Sequence, residues 1–231
     1  MQISSPIYNS VAEQYDNIFV DNLSIAEDKA LVKILKPLIK EALIADGTIL
    51  DVGCGTGWLL DHTKIPVSNY VGFDISHEMI KRSSTKHKRH KFYQGDMKIK
   101  WATKKAKLVL SLWTVANYDT PKRQIRYMAE TLEPKGKAVF VVHTAGFFRD
   151  KRRSEGKALP LDCYKKDGWR AWTAGEIRQE AIAQGLRVRI IPFRHYDNLA
   201  EWLPTFVHTR WLKRKKVSTT NAVFLIAIFS K

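Results

Sequence analysis

The stretch Ile49-Leu50-Asp51-Val52-Gly53-Cys54-Gly55-Thr56-Gly57-Trp58-Leu59-Leu60 constrains this chain more than any other. An apolar run ends near an acidic residue, three glycines follow at alternate positions, and the hydrophobic pattern resumes at Trp58, Leu59 and Leu60. That order reads as a buried strand, a tight loop and the start of a helix. Glycines suit such a loop because it takes up conformations that a Cβ resists. They also let the backbone come within contact distance of a ligand lying across the strand tip. The predicted unit is a nucleotide-binding turn at the start of an α/β sheet.

The spacing sets aside two phosphate-binding loops. A G-x-G-x-x-G fingerprint needs its third glycine at position 58, where Trp58 stands, and the Gly-Lys-Ser/Thr of a P-loop is absent. The pattern D-x-G-x-G-x-G instead resembles the first motif of the class I S-adenosylmethionine-dependent methyltransferases. The resemblance implies that Gly53, Gly55 and Gly57 run beneath the methionine part of S-adenosyl-L-methionine and that Asp51 helps receive its amino group. A cofactor without phosphate has no need of a pyrophosphate-binding helix start.

Residues 8–16 form a Y-x-x-x-A-x-x-Y-D pattern. It resembles the N-terminal flap of methyltransferases that act on small molecules, which implies that Tyr15 closes over the cofactor or substrate and that Tyr8 lies near the acceptor. A packing role for Tyr15 under an N-terminal helix is the other reading. Ser24-Ile25-Ala26-Glu27 has the form of a capping box, and Leu31, Ile34, Leu35, Leu38 and Ile39 follow at helical spacing. A helix is predicted from there to Gly47, kinked or divided at Pro37, which lacks a donor and crowds the preceding turn.

A second strand runs over residues 70–76 and carries Asp74, 23 positions after Asp51, at the tip beside the glycine loop. A carboxylate there can accept hydrogen bonds from both hydroxyls of a ribose. Ile75 follows it, and Ser76 is placed to cap a helix over residues 77–84. The third strand, residues 91–97, closes with Gly95-Asp96. In the resembled family this implies Asp96 at the adenine amino group and Met97 against the ring. A continuous apolar fourth strand, residues 108–113, brings Leu112 to the cofactor and Trp113 to the acceptor, with Asn117 in the loop beyond. Pro121 opens a helix, and residues 132–136 resemble the family's L-x-P-G-G turn with Lys135 in place of the first glycine. A fifth strand over residues 138–143 ends at His143. A second capping box, Thr173 with Glu176, starts a helix that leads to a sixth strand over residues 186–193. The apolar run at residues 221–230 is the seventh strand, expected antiparallel beside the fifth.

The predicted fold is therefore α/β: a Rossmann-like, seven-stranded, mostly parallel sheet with helices on both faces and strand seven antiparallel. One methyltransferase domain is expected across residues 1–231. It divides into a flap and helices (1–47), a cofactor-binding core (48–144) and two substrate-cover segments (145–172 and 194–220). The cover is rich in aromatic and basic residues, among them Phe147, Arg149, Trp169, Trp172 and Tyr196. An oxygen or carbon acceptor needs a base, for which His143, then His195 and Tyr196, stand nearest the strand ends.

Composition bears on the partner. The 39 Lys and Arg against 23 Asp and Glu leave a net charge of +16, which favours encounters with polyanions or reflects a solvated lysine-rich surface. No run approaches the roughly 20 apolar residues of a membrane-spanning helix. The two cysteines form neither a disulfide framework nor a metal site by spacing, so a cytoplasmic protein is expected. Residues 113–118 lack the D/N-P-P-Y/F of amino-methylating DNA enzymes, and no Pro-Cys pair serves attack on cytosine C5. The expected function is methyl transfer from S-adenosyl-L-methionine to an O, N or C atom of a small molecule. An RNA or other nucleic-acid acceptor is the alternative, and a non-catalytic cofactor-binding subunit is the third reading. The sequence leaves the oligomeric state open.

Overall fold

Seven strands hydrogen-bond into one sheet in the order β3-β2-β1-β4-β5-β7-β6. The computed structural model describes residues 6–18, 20, 22–95, 105–114, 120–144, 171–193 and 224–231. The strands are β1 (Ile49–Val52), β2 (Tyr70–Asp74), β3 (Lys91–Gln94), β4 (Ala106–Leu112), β5 (Leu132–His143), β6 (Arg187–Phe193) and β7 (Phe224–Ser230). The helices are α1 (Pro6–Val11), α2 (Tyr15–Ile18), α3 (Asn22–Ile44), α4 (Trp58–His62), α5 (His77–Lys86), α6 (Pro121–Thr131) and α7 (Ala174–Ala183). Strands β1 to β5 pair in parallel, and β7 pairs antiparallel with both β5 and β6. The chain order reverses between β1 and β4, so a crevice opens outside their carboxyl ends, the place where sheets of this kind take ligands.

Alternation along the central strands fills both faces. Ile49, Leu108, Leu110, Val139, Val141 and Ile226 pack with Leu31, Leu35, Ile39 and Ala42, a stripe along α3 at helical spacing. Leu50, Val109, Phe140, Val142, Leu225 and Phe229 face the other way onto Ile125, Met128 and Ala129 of α6 and Ile177 and Ala181 of α7. Trp172 joins this second core, 1% exposed and edge-on to Phe140. That corrects its expected place in the substrate cover: its backbone N–H donates to the His143 carbonyl, which draws the ring under the sheet.

Several predicted boundaries hold for local reasons. Ser76 caps α5 by accepting the Met79 N–H, and Thr120 caps α6 with Pro121 in its first turn. Thr173 and Glu176 form the reciprocal capping box of α7. Three expectations are corrected. Helix α3 begins at Asn22, so the S-x-x-E spacing of residues 24–27 lies inside the helix, where residues three apart also share a face. Pro37 neither ends nor divides α3; it sits on the exposed side, where water can satisfy the carbonyl it frees. Strand β5 begins at Leu132, with Lys135 in the left-handed region at φ 60, the conformation for which the resembled turn uses glycine.

Candidate functional site

The glycine loop sits at the crevice and is pinned on three sides. The N–H groups of Gly53 and Cys54 both donate to the Phe73 carbonyl, at 2.7 and 2.9 Å, which ties the loop to β2. A Cβ on Gly53, which has φ 74, would stand 2.0 Å from Thr114 Cγ2, so the crossing of β1 and the end of β4 leaves room for glycine alone. Thr114 returns the contact by donating its hydroxyl to the Gly53 carbonyl at 3.2 Å. Gly55, at φ 53, faces open space: nothing lies within 4 Å of its virtual Cβ. That space is where the sequence places a ligand.

Asp74 closes the loop from the β2 side. One carboxylate oxygen accepts the Gly55 N–H and the other the Ser76 N–H, each at 2.9 Å. Burial raises its pKa, and these backbone bonds oppose the rise by favouring the charged form. An Ile75 N–H acts in the same direction, and of the carboxylate's roughly four acceptor sites one is left for a ligand hydroxyl. Asp74 thus shapes the loop as well as standing at the expected ribose position. With Ile75, Val52, Gly53, Phe73, Gly95 and Thr114 it lines an open cleft.

Asp51 lies beneath the loop, 3% exposed, and accepts the Tyr70 hydroxyl at 3.0 Å. Burial pushes its pKa up to about 7, with the Tyr70 bond opposing and the Asp74 charge adding to the rise. Sequence reading missed Tyr70 as a partner. Strand register decides it: paired with Ile49 across β1 and β2, Tyr70 is on the same side of the sheet as Asp51, and no local sequence pattern marks that pairing. Cys54 is buried beside them, its thiol pushed up mainly by that burial.

Aromatic rings gather at the tips of β4, β5 and β7. Trp113 leaves β4 at φ 57, an uncommon conformation for a bulky residue and one that clusters at functional sites. Its ring is edge-on to Trp58 at 5.8 Å and to Phe224 at 6.1 Å. His143, 4% exposed at the end of β5, packs 5.0 Å from Phe224. Trp58 also stacks on His62 at 4.6 Å, and its indole N–H is buried with no partner among the described residues. Leu112 is half-buried next to Trp113. The half-buried rings of Tyr8 and Tyr15 meet edge-on at 6.4 Å within the α1–α2 segment.

The structure therefore brings together Asp51, Gly53, Gly55, Gly57, Asp74 and Ile75 around one loop, and Leu112, Trp113 and His143 at the neighbouring strand tips. Asp96, Met97, Asn117, Phe147, Arg149, His195 and Tyr196 lie outside the described residues, as do Lys213, Arg214, Lys215 and Lys216. Among the described residues no helix is long and apolar enough to cross a membrane.

The family described as "Methyltransferase domain" matches the chain over residues 26–190. An uncharacterised protein of Methanocaldococcus jannaschii is 28% identical over 136 residues, 58% of this chain and 49% of that protein. The match thus spans about half the length of that curated relative. Among solved structures, the chain is similar to the plantazolicin methyltransferase in complex with a pentazolic desmethylPZN analog and SAH. The TM-score is 0.65 at 16% identity, with 98% of this chain and 91% of that one covered. It is also similar to the magnesium protoporphyrin IX methyltransferase of Synechocystis PCC 6803 with bound SAM. There the TM-score is 0.60 at 14% identity, with 97% and 93% covered. At these identities the likeness is one of fold, and it extends over nearly the whole chain.

Proposed function

This chain belongs to the methyltransferase-domain family, and on that premise we propose that it transfers a methyl group from S-adenosyl-L-methionine to an oxygen, nitrogen or carbon atom of a small molecule. One observation carries the choice of acceptor. The described tips of β4, β5 and β7, beside the glycine loop, carry Trp113, His143 and Phe224, with Trp58 of α4 edge-on to Trp113, and neither lysine nor arginine. Apolar, ring-rich surroundings of this kind suit a compact acceptor with an apolar body. Two solved relatives are called after plantazolicin and magnesium protoporphyrin IX, which accords with this reading.

The sulfonium of the cofactor supplies an already activated methyl group. The work left to the protein is to hold the acceptor atom in line with the methyl–sulfur bond and to keep water away. Gly55 leaves room for the methionine part, Gly53 and Gly57 let the loop pass close to Thr114 and His87, and Asp74 offers a remaining lone pair to the ribose. Asp51, beneath the loop, contributes negative charge toward the amino group. Trp113 and Leu112 form the wall between cofactor and acceptor. When bound, the cofactor would supply a methyl carbon that takes the acceptor atom's electron pair, with sulfur as the leaving group. An acceptor proton then passes to a base, for which His143 stands nearest the aromatic wall, with Tyr15, His195 and Tyr196 as the other candidates. Asp96 and Met97 complete the adenine end, and Tyr8, Asn117, Phe147 and Arg149 the acceptor side.

The net charge of +16 favours a second reading, a nucleic-acid acceptor bound through the basic residues of the cover. A labelled-methyl transfer screen separates the two. Cell extract is divided into metabolites and nucleic acid and incubated with the protein and labelled cofactor. Label in the metabolite fraction is expected; label confined to nucleic acid would overturn the proposal in favour of the second reading.

A further inference from the structure

We propose that Asp16 is a positioning residue for the cofactor loop, the ionic catch by which the α1–α2 flap is fastened to the site and from which it must release for cofactor exchange. The proposal rests on the reading of the glycine loop as the S-adenosyl-L-methionine site.

The catch joins three separate stretches of the chain: Asp16, Thr56, and the Arg82 and Lys86 pair of α5. Thr56 lies in the loop between two left-handed glycines, Gly55 at φ 53 and Gly57 at φ 93. Such a segment has little conformational preference of its own, so whatever holds Thr56 holds the loop. Thr56 is 2% exposed, and its hydroxyl donates to one carboxylate oxygen of Asp16. The other Asp16 oxygen accepts Arg82 Nε at 3.1 Å, Arg82 Nη2 at 3.0 Å and Lys86 Nζ at 3.2 Å, all from α5. Arg82 Nη1 also donates to the Glu13 carbonyl at 2.8 Å, between α1 and α2. Lys86 reaches on to Asp61 of α4 at 2.7 Å. Burial acts to raise the Asp16 pKa, but the bonds from Thr56, Arg82 and Lys86 outweigh it and hold the carboxyl below its ordinary value.

A second fastening makes the flap part of the site. The Asn9 side-chain oxygen accepts the Ser76 hydroxyl at 2.7 Å. Ser76 is also the residue whose N–H holds Asp74, and Gly55, the other N–H partner of Asp74, is the neighbour of Thr56. The flap therefore grips one group beside each of the two backbone donors that orient Asp74. Cofactor binding and flap docking order the same few residues, so each favours the other.

The catch is also reversible. The side chains of Asp16, Arg82 and Lys86 are each 28–30% exposed, so salt reaches and weakens their pairing. Release of the cofactor product should quicken with ionic strength for this reason. The variants separate two roles of one carboxylate. Asp16→Asn keeps an oxygen for the Thr56 hydroxyl and loses the ion pairs; Asp16→Ala loses both.

The test follows release of S-adenosylhomocysteine by stopped flow, with Trp58 next to the loop as the fluorescent reporter. Salt is varied from about 0.05 to 0.5 M, a range over which the screening length falls severalfold. Wild type should release faster as salt rises. Asp16→Ala should release about tenfold faster than wild type at low salt, because several charge-assisted bonds at partly exposed groups are removed, and should show little salt dependence. Asp16→Asn should show the same flat salt profile with a smaller acceleration. If Asp16→Ala does not fold, Arg82→Gln, which leaves the Thr56 bond in place, should still quicken release and flatten the profile. The melting temperature of the cofactor-free variants is measured alongside: a purely structural role would lower it and leave the salt profile of release as in wild type, which overturns the proposal. Binding by wild type with release unaltered in Asp16→Ala overturns the catch alone. No binding by wild type overturns the cofactor reading and the catch together.

Discussion

Replacing Asp51 by Asn should flatten the pH dependence of stability in the cofactor-free protein. Asp51 is 3% exposed, and the described side chain bonded to it, Tyr70, is neutral. Burial, with a smaller contribution from the Asp74 charge and against the Tyr70 bond, raises its pKa from 3.8 to about 7. The native carboxyl then keeps its proton up to about pH 7, whereas the unfolded chain releases it near pH 3.8. Between those values the native state binds more protons, so stability falls as pH rises through the window and stays low above it. With these two values the decrease between pH 5 and pH 8 is on the order of 2–3 kcal/mol. The Asp51→Asn side chain has no proton to release. Its own penalty, an amide N–H2 short of acceptors, is about 1–3 kcal/mol and the same at every pH. Urea unfolding of both proteins from pH 5 to pH 8 isolates the carboxylate. The difference in unfolding free energy should move in the variant's favour by that amount as pH rises. A difference that does not change with pH would refute the reasoning, since it would mean that the carboxylate ionises as readily under the loop as in the unfolded chain. On the proposed cofactor reading the same burial would trade stability for function, since a charge that destabilises the empty site would favour the cationic end of a ligand.

Two further outcomes follow from the loop and the charge. Gly55→Val should fold, with a penalty of about 1–2 kcal/mol from the left-handed φ, and should not bind cofactor, because the new side chain enters open space. Gly53→Ala should instead lower the melting temperature sharply, its Cβ falling on Thr114; equal melting temperatures for the two variants would refute the assignment of roles. If a nucleic acid binds, changing Lys213, Arg214, Lys215 and Lys216 to Glu should reduce the log–log salt slope of binding by roughly 0.7–0.9 for each phosphate that is no longer neutralised. The same change at Lys98, Lys100, Lys104 and Lys105 should do much less, and equal reductions would leave only an effect of overall charge.

Much of this architecture was legible because it is written locally. The glycines at alternate positions, the Ser76 and Thr173 caps and the continuous apolar runs of β4 and β7 each depend on residues a few positions apart. The family order of motifs then placed Asp74 beside the loop and β7 antiparallel to β5. What escaped was long-range or ambiguous. The Tyr70 bond to Asp51 spans 19 residues and the Asp16 bond with Arg82 spans 66, and no local pattern marks either. The start of α3 was misplaced because an S-x-x-E spacing fits a helix interior as well as a cap. Pro37 was expected to kink or divide a helix whose apolar stripe, from Leu31 to Ala42, binds it to the sheet on both sides of the proline. Trp172 looked like cover by composition, whereas its burial against Phe140 is decided by tertiary packing.

The most direct measurement of the central assignment is a calorimetric titration of S-adenosylhomocysteine into wild type and Asp74→Ala. Wild type should bind at one site per chain. The variant should bind more weakly by about 1.5–3 kcal/mol, the worth of hydrogen bonds to a charged acceptor. Equal affinities would contradict the placement of the ribose at Asp74, and absence of binding by wild type would contradict the cofactor site as a whole.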